Sequence, residues 1–347
     1  MKKRDFSFDV IRAVAIICVV SYHFFLNGQH VYSDSVIFGN IDAGHIGVTL
    51  FFIMSGTLLT LNYGRGPFDL KKYAVRRFLN IYPLYWISYL FIYLLRRLLT
   101  HTYFSPDIPK WRFILTVLGF DGLFSYKAWN FYLIGEWYLG CILIFFILFP
   151  GLLFCIKKQP IISGIVLVAL HLIVVCFYPK LFTMPIVFNP LVRLLEFTAG
   201  IYYGLFIYRE HRRFSAKLSL AIIGVALAVL LIMFYTLEGF NIMNRVVGCG
   251  LFGFAGLMEV GRFIHYQGAR DKITWISGVS FGVFLIHHQI QGMIEKYYLG
   301  SVLTKPAQIC LYVFYLITVF LYAFMLRNLS NAIVRLIKSV IRRIADR

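Results

Sequence analysis

Two side chains near the start of the chain have the types and the spacing for proton and anion chemistry inside a bilayer. Arg12 and His23 stand eleven positions apart in FDVIRAVAIICVVSYHF. On a helix that separation returns to within about 20° of the same face and spans about 16 Å of axis. Asp9, one turn before Arg12, can neutralise it. An imidazole titrates near neutral pH and can take a proton from an attacking hydroxyl. A guanidinium can hold an anion or a developing negative charge. Taken singly, each residue also has a plainer role: His23 as a hydrogen-bonded packing residue, Arg12 snorkelling to inner headgroups.

Further candidates lie downstream. Glu136 opens an apolar run in GEWYLG and reads either as a proton acceptor or as an interfacial residue beside Trp137 and Tyr138. His287 and His288 close SGVSFGVFLIHH. Adjacent side chains on a helix point about 100° apart, so at most one of the two is expected to face a site. Arg193 and Glu196 are spaced to pair with each other. Ser55, in GVTLFFIMSG, has no His or Asp nearby in sequence; with Gly56 it suits close helix packing better than nucleophilic chemistry. Arg76 and Arg77 lead into NIYPLYW, which contains Tyr82, and suit either phosphate or lipid headgroups. His45 falls in a polar stretch and is expected to be solvated. No Walker loop and no GxGxxG in a βαβ setting is present, so nucleotide hydrolysis and dinucleotide redox chemistry have no support.

Composition dictates the elements that must carry these residues. Of 347 residues, 60% are hydrophobic and 14% charged. No soluble globule of this size has the polar surface to cover so much apolar mass. With 35 Phe and 23 Tyr the chain is not disordered. The fold class expected is all-α, a polytopic transmembrane helical bundle with about ten spans: 9–27, 46–61, 79–95, 132–156, 161–178, 191–208, 217–235, 244–260, 275–293 and 307–326. Residues 113–124, short and broken by Gly119, Asp121 and Gly122, read as a re-entrant or interfacial piece on the outer side. With both termini placed in the cytoplasm, 23 Lys and Arg fall in inner segments and 8 in outer ones. That asymmetry accounts for the net charge of +19 without a polyanionic partner, and no nucleic-acid partner is expected. After residues 1–326, the stretch 327–347 reads as a basic amphipathic tail on the inner leaflet. The six cysteines lie in or beside apolar runs without CxxC spacing, which speaks against a disulfide framework or a metal site. Met1–Arg4 and the following apolar stretch imitate a secretory signal. Arg12 inside that stretch and the lack of a small-x-small cleavage site favour a retained first span.

Taken together, ordered segments resemble the integral-membrane acyltransferase 3 family. FDVIRAVAIICVVSYH is similar to that family's arginine, ten residues, histidine pattern. GHIGVTLFFIMSGTLL resembles its second span, and RRFLNIYPLYW the arginine-rich opening of its third. FYLIGEWYLGCILIFFILFP resembles its Glu-containing fourth span. LLEFTAGIYYG and SGVSFGVFLIHH resemble later blocks. The family's third span often shows Arg-x-x-Arg, whereas here Arg77 is followed by Asn80, with Arg76 preceding it. The first proline after Glu136 is Pro150, further away than is usual in the family.

The resemblance implies transfer of an acyl group, usually acetyl from acetyl-CoA, to a hydroxyl of a surface glycan or its lipid-linked precursor. It implies a multi-pass protein of the cell membrane, of the bacterial cytoplasmic type. Acyl-CoA is then a donor substrate, no tightly bound cofactor or metal is expected, and membrane lipids and the glycan acceptor are the partners. His23 would act as base, with Arg12 holding the donor or a counter-charge and Glu136 orienting His23 or the acceptor. Arg76, Arg77, Tyr82, Ser55 and His287 form the expected donor- or substrate-binding set. Direct transfer and a covalent acyl-histidine relay both fit. A transporter of a polysaccharide or lipid precursor is the alternative, although no convincing internal repeat favours it.

Overall fold

The structure, a computed structural model, describes residues 5–27, 37–38, 41–101, 104–211, 213–235, 241–296 and 304–345. Apart from a two-residue antiparallel pairing of β1 (Ile37–Phe38) with β2 (Ile41–Asp42), the described elements are helical. They are α1 (Ser7–Asn27), α2 (Ala43–Tyr63), α3 (Leu70–Thr100), α4 (Phe113–Leu118), α5 (Asp121–Phe124), α6 (Glu136–Lys158), α7 (Pro160–Cys176), α8 (Tyr178–Leu181), α9 (Pro190–Tyr202), α10 (Tyr208–His211), α11 (Ala216–Tyr235), α12 (Ile242–Phe263), α13 (Gln267–Lys296) and α14 (Lys305–Ala345). Short 3-10 turns cover Lys110–Arg112 and Ile186–Phe188, and a π-helix, Tyr203–Ile207, joins α9 to α10.

Nine helices among the described residues are long and apolar enough to cross a membrane. The chain is a multi-pass helical membrane protein. The remaining expected span, 161–178, is α7, whose 17 residues reach only about 26 Å against a hydrocarbon core of about 30 Å. At the other extreme, α3 has 31 residues and α14 has 41. α14 continues without a break through Arg327, so the basic tail is the extension of the last span rather than a separate element.

The chain divides into two compact units, residues up to Phe68 with Cys141–Gly278, and Asp69–Gly140 with Val279 onward. In the first, small residues let helix backbones meet. A Cβ on Gly56 would strike the carbonyl of Phe197, and one on Gly200 the carbonyl of Ile53, so α2 and α9 cross in direct backbone contact. Thr57 Oγ1 lies 3.0 Å from the Gly200 carbonyl at that crossing. A Cβ on Gly47 would likewise strike the carbonyl of Ala15, so α1 also packs closely on α2. Arg193 and Glu196, fully buried, pair at 2.7 Å. Arg193 also donates to the Val187 carbonyl and to Thr49 Oγ1, at 2.9 and 3.2 Å. A second buried knot joins His211 Nδ1 to Glu259 at 2.7 Å and Glu259 to Arg262 at 2.9 Å.

In the second unit, Asp69 caps α3 by accepting from Lys72 N at 2.9 Å. The short piece expected at 113–124 is the α4–α5 pair, broken at Gly119, whose φ of 79° is a conformation glycine adopts freely. The last carbonyls of a helix have no intrahelical partner, which is costly in an apolar setting. α3 supplies the donors. Tyr82, Tyr85 and Trp86 donate to the carbonyls of Leu118, Thr116 and Val117, at 3.0, 2.8 and 3.0 Å.

Candidate active site

α1 is helical from Ser7, so Arg12 and His23 share the register expected of them. Asp9 is buried and Arg12 half-buried. Both meet Ser277 of α13, whose hydroxyl donates to Asp9 Oδ1 at 2.6 Å and accepts from Arg12 at 3.3 Å. The serine thus threads the carboxylate to the guanidinium and fixes the arginine's position in the first unit. His23 is half-buried, and its ring lies 5.0 Å from that of Tyr22. Tyr22 in turn lies 5.9 Å from the ring of His45. His45 is not in a solvated loop: it is half-buried in the first turn of α2, where helix formation begins earlier than the apolar run suggests. Ser55 is half-buried on α2, one residue before the Gly56 crossing.

The second unit holds the polar cluster with the clearest capacity for proton chemistry. Gly135 and Glu136 turn the chain sharply into α6, with φ of 85° and 43°. The carboxylate of Glu136 is 11% exposed. Its Oε1 stands 3.1 Å from Nε2 of His287 and 3.3 Å from Nε2 of His288. His287 is fully buried. Its Nδ1 lies 2.8 Å from the Phe284 carbonyl, which can only accept, so Nδ1 carries a hydrogen. In a neutral imidazole, Nε2 then presents a lone pair to the carboxylate oxygen. The contact is attractive only when one further proton is held between the two. Glu136 Oε1 and His287 Nε2 therefore face each other across 3.1 Å, a distance over which a proton can pass.

Both histidines face Glu136, although their Cα–Cβ directions diverge. The carboxylate reaches both rings through its single oxygen Oε1. Tyr138 of α6 packs edge-on against Phe284, 4.8 Å between ring centres, and holds the two helices in this register. One carboxylate oxygen and two imidazole nitrogens converging in this way are also a donor set that a first-row divalent cation accepts. The Phe284 carbonyl fixes His287 in the tautomer such a ligand needs.

The loop before Glu136 is tied down. Asn130 donates to the Asp121 carbonyl at 2.8 Å, and Gly122 packs so tightly on the Glu136 backbone that a Cβ there would collide with it. Asp121 is 1% exposed, and burial pushes its carboxyl up to about 7 even though Oδ1 accepts from Gly122 N at 2.9 Å.

At the start of α3, Arg76 is exposed and Arg77 half-buried, with its guanidinium 5.9 Å from the Tyr73 ring. Of the two, Arg77 is the cation built into the protein. Tyr82 uses its hydroxyl on the Leu118 carbonyl and so helps to hold α4. Sequence reasoning missed Ser277 and His288 as partners. A serine inside an apolar run offers a signal, but its partner 268 positions away does not.

A family model described as an acyltransferase domain matches residues 5–328. No curated protein and no solved structure matches the chain. The match spans α1 through most of α14 and takes in the Asp9–Arg12–Ser277 contact and the Glu136–His287–His288 cluster. The chain belongs to the acyltransferase 3 family of membrane acyltransferases.

Proposed function

We propose that this membrane acyltransferase moves an acetyl group from cytoplasmic acetyl-CoA to a hydroxyl of a surface glycan or its lipid-linked precursor, in a bacterial cytoplasmic membrane. The observation that carries the reading is the approach of Glu136 Oε1 to His287 Nε2 at 3.1 Å, on helices of spanning length in a chain of this family. Acyl transfer to a hydroxyl needs such chemistry. The hydroxyl oxygen attacks the thioester carbonyl and loses its proton, the carbon–sulfur bond breaks, and the thiolate leaves as the protonated thiol. An imidazole suits the first step because it titrates near neutral pH.

We assign the base to His23, and to Glu136 and His287 the storage and return of a proton during turnover. Arg12, held by Ser277, supplies positive charge for the developing oxyanion or the donor. Arg76 and Arg77 serve the CoA phosphates, with the half-buried Arg77 the more fixed of the two.

The test is an acetyl-CoA-dependent transfer assay on the purified full-length protein in detergent, with glycan products read by mass spectrometry. Acetylated glycan from the unmodified protein and none from His23→Ala, at equal membrane insertion, is the expected result. Full transfer by His23→Ala would remove the base assignment. Export of glycan without any acetyl-CoA dependence would remove the reading as a whole.

A further inference from the structure

We infer that a cavity in the first unit, beside the π-helix Tyr203–Ile207, binds a neutral lipid whose head is a free hydroxyl. The cavity has a volume of about 590 Å³, within the range of about 300–1,000 Å³ usual for ligand sites. Gly164 and Val168 of α7, Thr198 of α9, Ile222 of α11 and Leu251 and Phe254 of α12 form its walls, all of them in the first unit. Arg12, His23, Arg77 and Glu136 line no part of it, so the inference goes beyond the acyltransfer reading and does not depend on it.

The cavity is apolar along its length and polar at one end, where His211, Glu259 and Tyr203 line it. His211 and Glu259 stand at or near the ends of two spans, Pro190–His211 and Ile242–Phe263, whereas Thr198 and Leu251 lie near their middles. Leu251 and Glu259 are separated by about 12 Å of helix axis. A guest therefore meets polar groups at the level where the spans end and apolar walls further in, as an amphiphile in one leaflet of a bilayer requires. Two lining residues, Val168 and Ile207, are 47% and 46% exposed, so a lipid chain can enter from the helix flank.

Hydrogen bonding identifies the head. Most polar groups around the cavity are already engaged. Glu259 Oε1 stands 2.7 Å from His211 Nδ1, and Oε2 stands 2.9 Å from Arg262. Arg262 also donates to the Ser219 hydroxyl and the Phe214 carbonyl, at 2.8 and 2.7 Å. Tyr202 donates to the Pro160 carbonyl at 2.6 Å, and Thr198 to the Leu194 carbonyl at 2.9 Å. Two groups remain. A carboxylate paired with a guanidinium accepts, so His211 Nδ1 carries a hydrogen, and in the neutral imidazole Nε2 presents a lone pair. No hydrogen bond among the described residues engages that nitrogen. Tyr203 Oη is buried without a hydrogen-bond partner among the described residues, and its ring centre lies 6.2 Å from that of His211. A buried hydroxyl left unpaired is costly. The π-helix that begins at Tyr203 is a rare conformation, met mostly at functional sites. One guest group answers both: a hydroxyl accepts from Tyr203 and gives its hydrogen to Nε2. An ionised carboxylate or phosphodiester has no hydrogen for Nε2. Glu259 and Arg262 already balance each other, so a charged head would enter without a counter-charge.

The experiment uses the full chain in phosphatidylcholine nanodiscs, with 1-hexadecanol carrying a diazirine in its chain as the probe. Labelling within residues 164–168, 198–207 and 251–259 is expected. Tyr203→Phe keeps the ring and removes the donor, and should weaken binding about three- to tenfold. Its melting temperature without the probe should stay level or rise, because an unpaired hydroxyl is gone. Val168→Trp, which fills the cavity from an exposed position, should abolish the labelling. Unlabelled hexadecanol should compete, and hexadecanoate or phosphatidylglycerol at the same concentration should not. Labelling elsewhere, labelling that survives Val168→Trp, or unweakened binding by Tyr203→Phe would overturn the assignment. Equal competition by hexadecanoate or phosphatidylglycerol would also overturn it, by making the cavity a general acyl-chain crevice. A Tyr203→Phe protein that melts lower would do so too, by showing that the hydroxyl serves the fold.

Discussion

Replacing Glu136 by glutamine separates proton chemistry from structure at the carboxylate–imidazole pair. Glutamine has the same shape, and its amide nitrogen can donate to Nε2 of His287 from the place that Oε1 now occupies, 3.1 Å away. The Nδ1 bond to the Phe284 carbonyl is untouched. Stability should therefore move by no more than about 1 kcal/mol, the scale of one exchanged hydrogen bond. The capacity to take and return a proton, by contrast, is lost, because an amide does neither. General acid–base groups contribute about 10²- to 10⁴-fold, so kcat should fall by that factor, about 3–5 kcal/mol in barrier. Steady-state transfer assays at several pH values, beside thermal unfolding in the same detergent, read both quantities. Glu136→Ala is the control. It removes the carboxylate that faces a fully buried imidazole, at a cost of about 1–3 kcal/mol, and should lower both the melting temperature and the rate. A glutamine variant that keeps kcat within threefold of the unmodified protein would show that the cluster only holds α6 to α13, and would refute the proton-holding argument.

Three further outcomes follow from the same geometry. Burial favours the protonated Asp121 in the folded chain, so the folded protein holds an extra proton between about pH 4 and about 7 and loses stability as pH rises through that window; Asp121→Asn should flatten this component, at most about 4 kcal/mol, when melting in detergent is followed from pH 5 to 8. Gly200→Ala places a Cβ on the Ile53 carbonyl and must push α9 off α2, costing about 1–3 kcal/mol or preventing insertion, as thermal unfolding and the yield of monodisperse protein will report. Micromolar Zn²⁺ should inhibit transfer, because Oε1 and two imidazole nitrogens at 3.1 and 3.3 Å match the edges of about 3.3 Å in a tetrahedron with zinc bonds of about 2.0 Å. A chelator should restore the rate, and His288→Ala should be far less sensitive; inhibition of equal strength in that variant would place the metal elsewhere.

What the sequence made legible is what a helix encodes locally. The eleven-residue spacing of Arg12 and His23, the pairing of Arg193 with Glu196, and the break at Gly119 in the short piece 113–124 all depend on neighbours within a few turns, and each is present. The long-range partners were not legible. Ser277 stands 268 residues from Asp9, and His287 151 residues from Glu136; no periodicity in one chain encodes which helices come together. The expectation that only one of His287 and His288 could face a site failed for a related reason. It rested on the 100° step between Cβ directions, whereas the ring nitrogens lie several ångströms beyond Cβ and converge on whatever stands between them. What stands there is a carboxylate delivered by a left-handed turn at Gly135 and Glu136, two positive φ values in succession. A β-branched residue in either place would be strained. A non-glycine residue held at positive φ beside a buried imidazole pair is a conformation sustained by its surroundings. Here those surroundings are the close approach of Gly122 to the Glu136 backbone and the Asn130 bond to Asp121, so α5 and the loop after it position the carboxylate that faces the imidazole pair.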